Sequence, residues 1–187
     1  MDRTPTPTTM QTLLAKVRNA RSNLLSVLIF SVINIPLILF SGGYFLFSLS
    51  VTQLLTFTIN EVRVDPECAD ILLPMILICA VPMAIILGLY FVCWLCSKKR
   101  AGWLTFAAVL FGLDCLLLGF SLFLNLSAGA FDLFSIIDVA YHVWVMISLI
   151  KGAAAAAKLK GMPAEEPIAP ISGDYTYTEI PQEPEQP

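Results

Sequence analysis

The sequence predicts an all-α polytopic membrane protein with four transmembrane helices in an antiparallel bundle. Of its 187 residues, 57% are hydrophobic and only 13% are charged, which is about half the charge of an ordinary soluble domain. The apolar residues form runs that meet or approach the length of about 20 helical residues needed to cross about 30 Å of hydrocarbon. The net charge of -3 comes from loops and tails, so it gives no indication of nucleic-acid binding.

Four spans are predicted at about residues 24–43, 71–96, 103–124 and 131–151, within a membrane domain of residues 23–157. Residues 1–22 form a separate N-terminal segment in this prediction. Its apolar side chains recur at helical spacing among cations, as Met10, Leu13, Leu14 and Val17. Two interpretations stay open for this segment, an amphipathic helix on the membrane surface or an extension of the first span.

The segment after the first span does not fit a simple four-helix diagram. Ser41-Gly42-Gly43 interrupts the helical pattern, yet residues 44–60 are still largely apolar. Residues 24–60 are too long for one span and too short for two spans with a turn. We therefore predict that residues 44–60 form an element at the outer interface or dipping into it. Partial alternation between Phe57 and Val64 also leaves a short strand open.

The positive-inside rule predicts the orientation of the chain. Of the 11 Lys and Arg residues, all but Arg63 lie before the first span, between the second and third, or after the fourth. Arg63 stands beside Glu61, Asp65, Glu67 and Asp70. Both termini are therefore expected in the cytoplasm.

The last segment, residues 158–187, is predicted to be a disordered, acidic, proline-rich cytoplasmic tail. Between Gly161 and Pro187 the chain has six prolines, six acidic residues and no cation. Such a composition buries too little apolar surface to fold alone.

The candidate functional site is a layer of polar residues at mid-membrane depth, formed by Asn34, Asp114, Asp138 and His142. The turn between the third and fourth spans centres near Ala128, and Asp114 and His142 are each fourteen residues from it. At 1.5 Å per residue both lie about 21 Å below the turn. Asp138 precedes His142 by one helical turn, and Asn34 reaches a similar depth in the first span.

Three interpretations of this layer stay open. Ionisable residues inside a membrane are costly and usually face a partner or a cavity. An Asp114–His142 pair, with Asp138 as a second acceptor, would pin two helices together. The same groups would also suit a protonation switch or relay, because histidine titrates near neutral pH. A metal site would need Cys79 or Cys115 as a further ligand, and the single histidine of the chain disfavours it.

Cys93-Trp94-Leu95-Cys96 is a CxxC pair of the kind that redox enzymes use. It adjoins Lys98-Lys99-Arg100, which puts it at the cytoplasmic end of its span, where thiols stay reduced. We therefore expect these cysteines to act as small apolar side chains.

Two stretches of the chain together carry a resemblance. One runs from Asn23-Leu24-Leu25 through Asn34-Ile35 to Tyr44-Phe45-Leu46-Phe47-Ser48. The other contains Lys98-Lys99-Arg100-Ala101-Gly102-Trp103, Asp114, Ile136-Ile137-Asp138, His142, Trp144 and Ile150-Lys151-Gly152. Over about residues 20–160 the chain resembles uncharacterised small four-span membrane proteins of Gram-positive bacteria. The resemblance implies a prokaryotic plasma membrane and no particular activity.

These observations predict a non-enzymatic integral membrane protein, an accessory or sensing subunit that acts through a partner. The alternative is a small oligomeric proton-coupled transporter or channel-like protein, and a membrane thiol redox enzyme ranks third. The expected partners are the lipid bilayer and either a membrane protein or further copies of the chain, with no nucleic acid. No cofactor is predicted.

Overall fold

The computed structural model describes residues 9–41, 47–127, 129 and 133–161. This part of the chain is all-helical. It forms five α-helices and a short 3₁₀ helix at Pro66–Ile71, the α-helices being α1 (Thr9–Ser41), α2 (Ser50–Val64), α3 (Leu72–Cys96), α4 (Gly102–Ser127) and α5 (Leu133–Lys160).

Four of these helices, α1, α3, α4 and α5, are long and apolar enough to cross a membrane. Successive spans run in opposite directions, so the predicted four-span antiparallel bundle is confirmed. α2 is the additional element. At 15 residues it extends about 22 Å, which is less than the thickness of the hydrocarbon core.

The distribution of side chains is that of a membrane protein. Large apolar residues point outward, and Leu73, Leu116 and Phe123 each expose about two thirds of their surface. Polar residues lie inside instead, with Asn34 1% and His142 2% exposed. Apolar side chains cost nothing against lipid tails, whereas polar groups need partners that only the bundle interior provides.

α1 and α5 pack along each other more extensively than any other pair of helices. Their close approach depends on Gly152, where a Cβ atom would collide with the Cβ of Ala20 and would lie 3.3 Å from the carbonyl oxygen of Lys16. Small residues allow membrane helices to approach in this way. Asn23 adds a polar link, since its Nδ2 donates to Ser148 Oγ at 2.7 Å.

α1 runs unbroken from Thr9 to Ser41, which favours the second of the two interpretations left open for residues 1–22, an extension of the first span. Leu13, Val17 and Ala20 are buried in the same cluster as Ala155 and Ala156 of α5. Their helical spacing continues the buried face of the first span, so this segment extends the span. Residues 1–8 lie outside the described part of the chain.

The predicted boundary of the C-terminal tail is too early. Residues 158–160 belong to α5, because the run of five alanines after Gly152 has the highest intrinsic helix propensity. Two of those alanines, Ala155 and Ala156, are also buried. The remainder of the predicted disordered tail, residues 162–187, lies outside the described residues.

The strand considered for residues 57–64 is wrong, since they belong to α2. The buried positions Thr52, Thr56 and Ile59 recur at helical spacing. Thr52 and Thr56 also turn their hydroxyls back to backbone carbonyls of Leu49 and Thr52. Residues 44–46 of the predicted outer element lie outside the described residues.

Candidate functional site

α2 begins inside the bundle and not at a membrane surface. Its first residue, Ser50, contacts Asp114 of α4, which is twelve residues from the start of α4 and thirteen from its end. At 1.5 Å per residue this contact lies about 20 Å from either end of α4. α1 continues to Ser41, about 10 Å past Asn34, whereas Ser48 lies beside Asn34, so α2 starts at mid-depth.

Hydrogen bonds to α1 hold the entry to α2. The backbone N–H of Leu49 donates to Ser31 Oγ at 2.8 Å, and Asn34 Nδ2 donates to Ser48 Oγ at 2.7 Å. Gln53 Nε2 donates to the same Ser48 oxygen at 2.9 Å. The preceding residue, Phe47, has a φ of 81°, which costs about 1–3 kcal/mol for a bulky residue. The chain accepts this strain where it reverses.

The carboxylate of Asp114 caps α2 from a different helix. Its Oδ2 accepts the N–H of Ser50 at 2.9 Å, and its Oδ1 accepts the N–H of Val51 at 3.0 Å. A helix leaves four N–H groups without intrahelical partners at its start. The other two belong to Leu49, which is held by Ser31, and to Thr52, which donates to the Leu49 carbonyl at 3.1 Å. The buried start of α2 is therefore fully satisfied, and a negative charge lies at its positive end.

His142 of α5 completes the cluster. Its Nε2 lies 3.3 Å from Asp114 Oδ2 and 3.3 Å from Ser50 Oγ. Its Nδ1 lies 2.9 Å from the backbone oxygen of Asp138 and 3.4 Å from Asp138 Oδ1. The imidazole therefore contacts three oxygens that belong to the two aspartates.

These contacts constrain the protons of the cluster. Because a carbonyl oxygen only accepts, the short contact to the Asp138 backbone requires a proton on Nδ1. The Nε2 atom then faces an Asp114 oxygen that already accepts an N–H from Ser50. Nε2 therefore has two arrangements open to it: with a proton it donates to Asp114 Oδ2, and without one it accepts the Ser50 hydroxyl. In the first arrangement His142 is an imidazolium that faces the Asp114 carboxyl group.

Aromatic rings enclose the cluster. The His142 ring stacks on Phe111 with centroids 5.4 Å apart and an interplanar angle of 14°, and Tyr141 meets it edge-on at 6.1 Å. The Tyr141 ring also packs on Phe47 at 4.7 Å, which connects the cluster to the reversal before α2. The Tyr141 hydroxyl and Asp138 Oδ1 are buried with no hydrogen-bond partner among the described residues.

The structure brings three of the four candidate residues into contact. Asp114, Asp138 and His142 form one cluster. Asn34 bonds instead to Ser48, two residues before the Ser50 that contacts Asp114. Sequence reasoning missed Ser48 and Ser50, which carry α2 into the layer. The length of residues 24–60 could have indicated α2, because the residues left over after one transmembrane span are enough for a helix that crosses about half of the membrane.

The alternative sites have less support in the geometry. Among the described residues, no three His, Cys, Asp or Glu side chains are arranged to hold a metal ion. Cys79 is buried and Cys115 half-buried, and both are unbridged thiols. In the CxxC pair, Cys93 is fully buried and Cys96 partly exposed, also as separate thiols.

A second group of buried polar contacts lies at the C-terminal end of α3. Arg21 is 2% exposed, and its Nε donates to Ser97 Oγ at 2.9 Å. Its Nη2 donates to the Trp94 backbone oxygen at 3.3 Å, while the guanidinium lies 5.9 Å from the centre of the Trp94 ring. The cation thus neutralises the negative C-terminal end of α3.

Comparison with known proteins adds no assignment. No protein-family profile matches the chain, and no curated protein or solved structure is significantly similar to it.

Proposed function

We propose that this chain is a non-enzymatic membrane protein that senses pH and passes the signal to a membrane protein partner as an accessory subunit. The observation that carries the proposal is that one atom, Asp114 Oδ2, contacts both the N–H of Ser50 and Nε2 of His142. The protonation of the pair and the position of α2 are therefore coupled.

The direction of the response follows from the contacts. With the shared proton present, Asp114 holds α2 by two N–H bonds and faces a cation. When the pH rises and that proton leaves, a lone pair of Nε2 faces Oδ2. Nε2 then no longer donates to Oδ2 and accepts the Ser50 hydroxyl instead. Asp114 loses its contact with a cation, which weakens the attachment of α2. The sensor is therefore expected to hold α2 firmly at lower pH and to release it at higher pH.

Other ionisable groups near the pair modulate this response. Asp138 Oδ1 of α5 lies 3.4 Å from Nδ1 of the imidazole, and Tyr141 of the same helix meets the ring edge-on. On α4, Cys115 adjoins Asp114 in sequence, and Tyr90 of α3 is buried in the same core cluster as Phe111. α1 and α2 contribute only neutral polar groups to the described cluster. Asp114 and Asp138 are thus the two carboxyl groups that face the imidazole among the described residues.

The cellular setting is part of the same proposal. The distribution of Lys and Arg supports cytoplasmic termini, which would make α2 open toward the outside. The resemblance to small four-span proteins supports a bacterial plasma membrane. In that arrangement α2 and the acidic segment around Arg63 would report external pH to a partner.

Hydrogen exchange of the α2 amides tests the proposal. In bicelles, exchange at residues 50–55, corrected for the intrinsic effect of pH, should accelerate as pH rises. His142→Gln keeps a donor toward Asp114 but cannot titrate, so it should remove the pH dependence. The matched control is Asn23→Gln. It disturbs the contact of Asn23 with Ser148 of α5, the helix that carries His142, at a distance from α2. An unchanged pH response in His142→Gln would reject the proposal.

The alternative is a proton-coupled transporter or channel-like oligomer. One observation favours it, namely that α2 starts at mid-depth, as the broken helices of transporters do. Proteoliposomes carrying an internal pH dye distinguish the two functions. Proton flux that depends on Asp114 would support transport, whereas a sealed membrane with pH-dependent α2 exchange would support sensing.

A further inference from the structure

A shallow apolar groove runs between α4 and α5 on the surface of the bundle that faces lipid. Its walls come from small residues of α4 and larger ones of α5, chiefly Thr105, Ala108, Gly112, Met146, Ile150 and Ala153. Ala108 and Gly112 are four residues apart and therefore lie one above the other on the same helix face. Their lack of bulk creates the groove, and the exposed rim residues Thr105 and Ile150 open it toward lipid.

The groove lies in one half of the hydrocarbon layer. Gly112 is two residues from Asp114, at mid-depth, and Thr105 is seven residues nearer the start of α4. The groove is thus about 10 Å long and runs along the helix axes from the midplane toward one surface. A single acyl chain of that leaflet lies in this direction.

Three exposed cations lie at the depth where the headgroup of a lipid in this groove would lie. A Cβ at Gly112 would be 3.3 Å from Met146 Cε, so these two residues are level on antiparallel helices. From that level the start of α4 is about 15 Å away and Lys160 about 21 Å away. The edge of the hydrocarbon is about 15 Å from the midplane. Lys99, Arg100 and Lys160 are all exposed and lie at or beyond that edge.

We propose that this groove binds an anionic phospholipid, with one acyl chain against α4 and α5 and the phosphate among Lys99, Arg100 and Lys160. Apolar walls alone would accept any phospholipid, but basic pockets between membrane helices select anionic headgroups. No residue that lines the groove contributes a side-chain contact to the His142 cluster, so the two proposals stand or fall separately.

Native mass spectrometry of the full chain tests this proposal with two lipids of identical acyl chains. Phosphatidylglycerol should be retained at least fivefold more than phosphatidylcholine. Lys160→Gln should lower phosphatidylglycerol binding about fivefold, the effect of one cation near the surface, without changing phosphatidylcholine binding. Gly112→Leu should fill the groove and lower the binding of both lipids.

Matched substitutions elsewhere provide the controls. Gly88→Leu adds the same side chain on α3, where a Cβ meets nothing within 4 Å, and should change neither lipid. Lys151→Gln removes an exposed cation that lies about 160° around α5 from the groove residue Ala153, whereas Lys160 lies about 20° from it, so this variant should have little effect. Thr105→Leu should also block the groove, from its exposed rim, and it replaces Gly112→Leu in the lipid-binding test if that variant does not fold.

Three results would overturn the proposal. Equal retention of both lipids by the native protein would remove the headgroup site. Equal losses in Lys160→Gln and Lys151→Gln would indicate only a general attraction between cations and an anionic membrane. Dimers that dissociate on Gly112→Leu, with lipid retention unchanged, would show that a second copy of the chain covers the groove.

Discussion

Replacing Asp114 by asparagine is the sharpest test of how α2 is held. The substitution keeps the size of the side chain and one carbonyl oxygen, so one of the two backbone N–H bonds survives. The amide NH₂ then faces the other N–H, which loses its acceptor, and the imidazolium of His142 loses its counter-charge. A buried unsatisfied donor costs about 1–3 kcal/mol and a charge-assisted bond about 1.5–3 kcal/mol. After partial relaxation we expect Asp114→Asn to destabilise the protein by about 2–4 kcal/mol.

Asp138→Asn is the matched control, because it makes the same chemical change beside the same histidine. The Asp138 side chain caps no helix N–H among the described residues, and Nδ1 of His142 can keep its bond to the Asp138 backbone oxygen. Polar contacts between membrane helices are worth about 1 kcal/mol, so this variant should lose about 1 kcal/mol or less. Unfolding in bicelles, followed by steric trapping or by SDS titration, measures both losses.

A double-mutant cycle then isolates the Asp114–His142 contact. His142→Gln should lose about 1–2 kcal/mol, because it removes the ion pair and the stacking on Phe111. The double variant should lose at least about 1 kcal/mol less than the two single losses added together, since both remove the same pair. Strict additivity, or equal losses in Asp114→Asn and Asp138→Asn, would refute the assignment of Asp114 as the shared contact.

Three further predictions concern the rest of the bundle. Gly152→Val should cost about 3 kcal/mol or more in the same unfolding assay, because its side chain meets the Cβ of Ala20 and backbone behind it; a neutral effect would contradict the close α1–α5 approach. A membrane-impermeant thiol reagent applied to intact cells should label Cys68 and spare Cys96, and labelling of Cys96 would reverse the proposed orientation. Truncation after Gly161 should leave insertion and thermal stability nearly unchanged, and a large loss would show that the tail packs on the bundle.

The four spans were predictable because their signal is long and redundant. Each apolar run is longer than a soluble core helix requires, and a change at any one position leaves the pattern intact. The depth of Asp114 and His142 was predictable for a related reason, since a short hairpin turn and a fixed helical rise place equal offsets at equal depth.

The role of α2 was not predictable from the same signals. Its capping acceptor is 64 residues away along the chain, so no local motif marks the start of the helix. The residue before it, Leu49, makes no side-chain cap, whereas sequence rules look for Ser, Thr, Asp or Asn there. The sequence also left two interpretations open for residues 9–22, because the buried face of this segment depends on the alanines of α5.

The position of Asp114 also bears on which kind of ligand the polar layer accepts. In transporters with broken helices, the N-terminus of a half-helix faces an anionic group of the substrate. Here a carboxylate of the protein occupies that place, and it accepts both of the N–H groups that an incoming anion would use. An anionic substrate would have to displace Asp114 and leave it buried without those bonds. A proton requires no such exchange, since it adds to a contact that already exists. The geometry therefore favours proton binding over anion binding at the start of α2, which is why the pH response of α2 is the measurement that bears most directly on function.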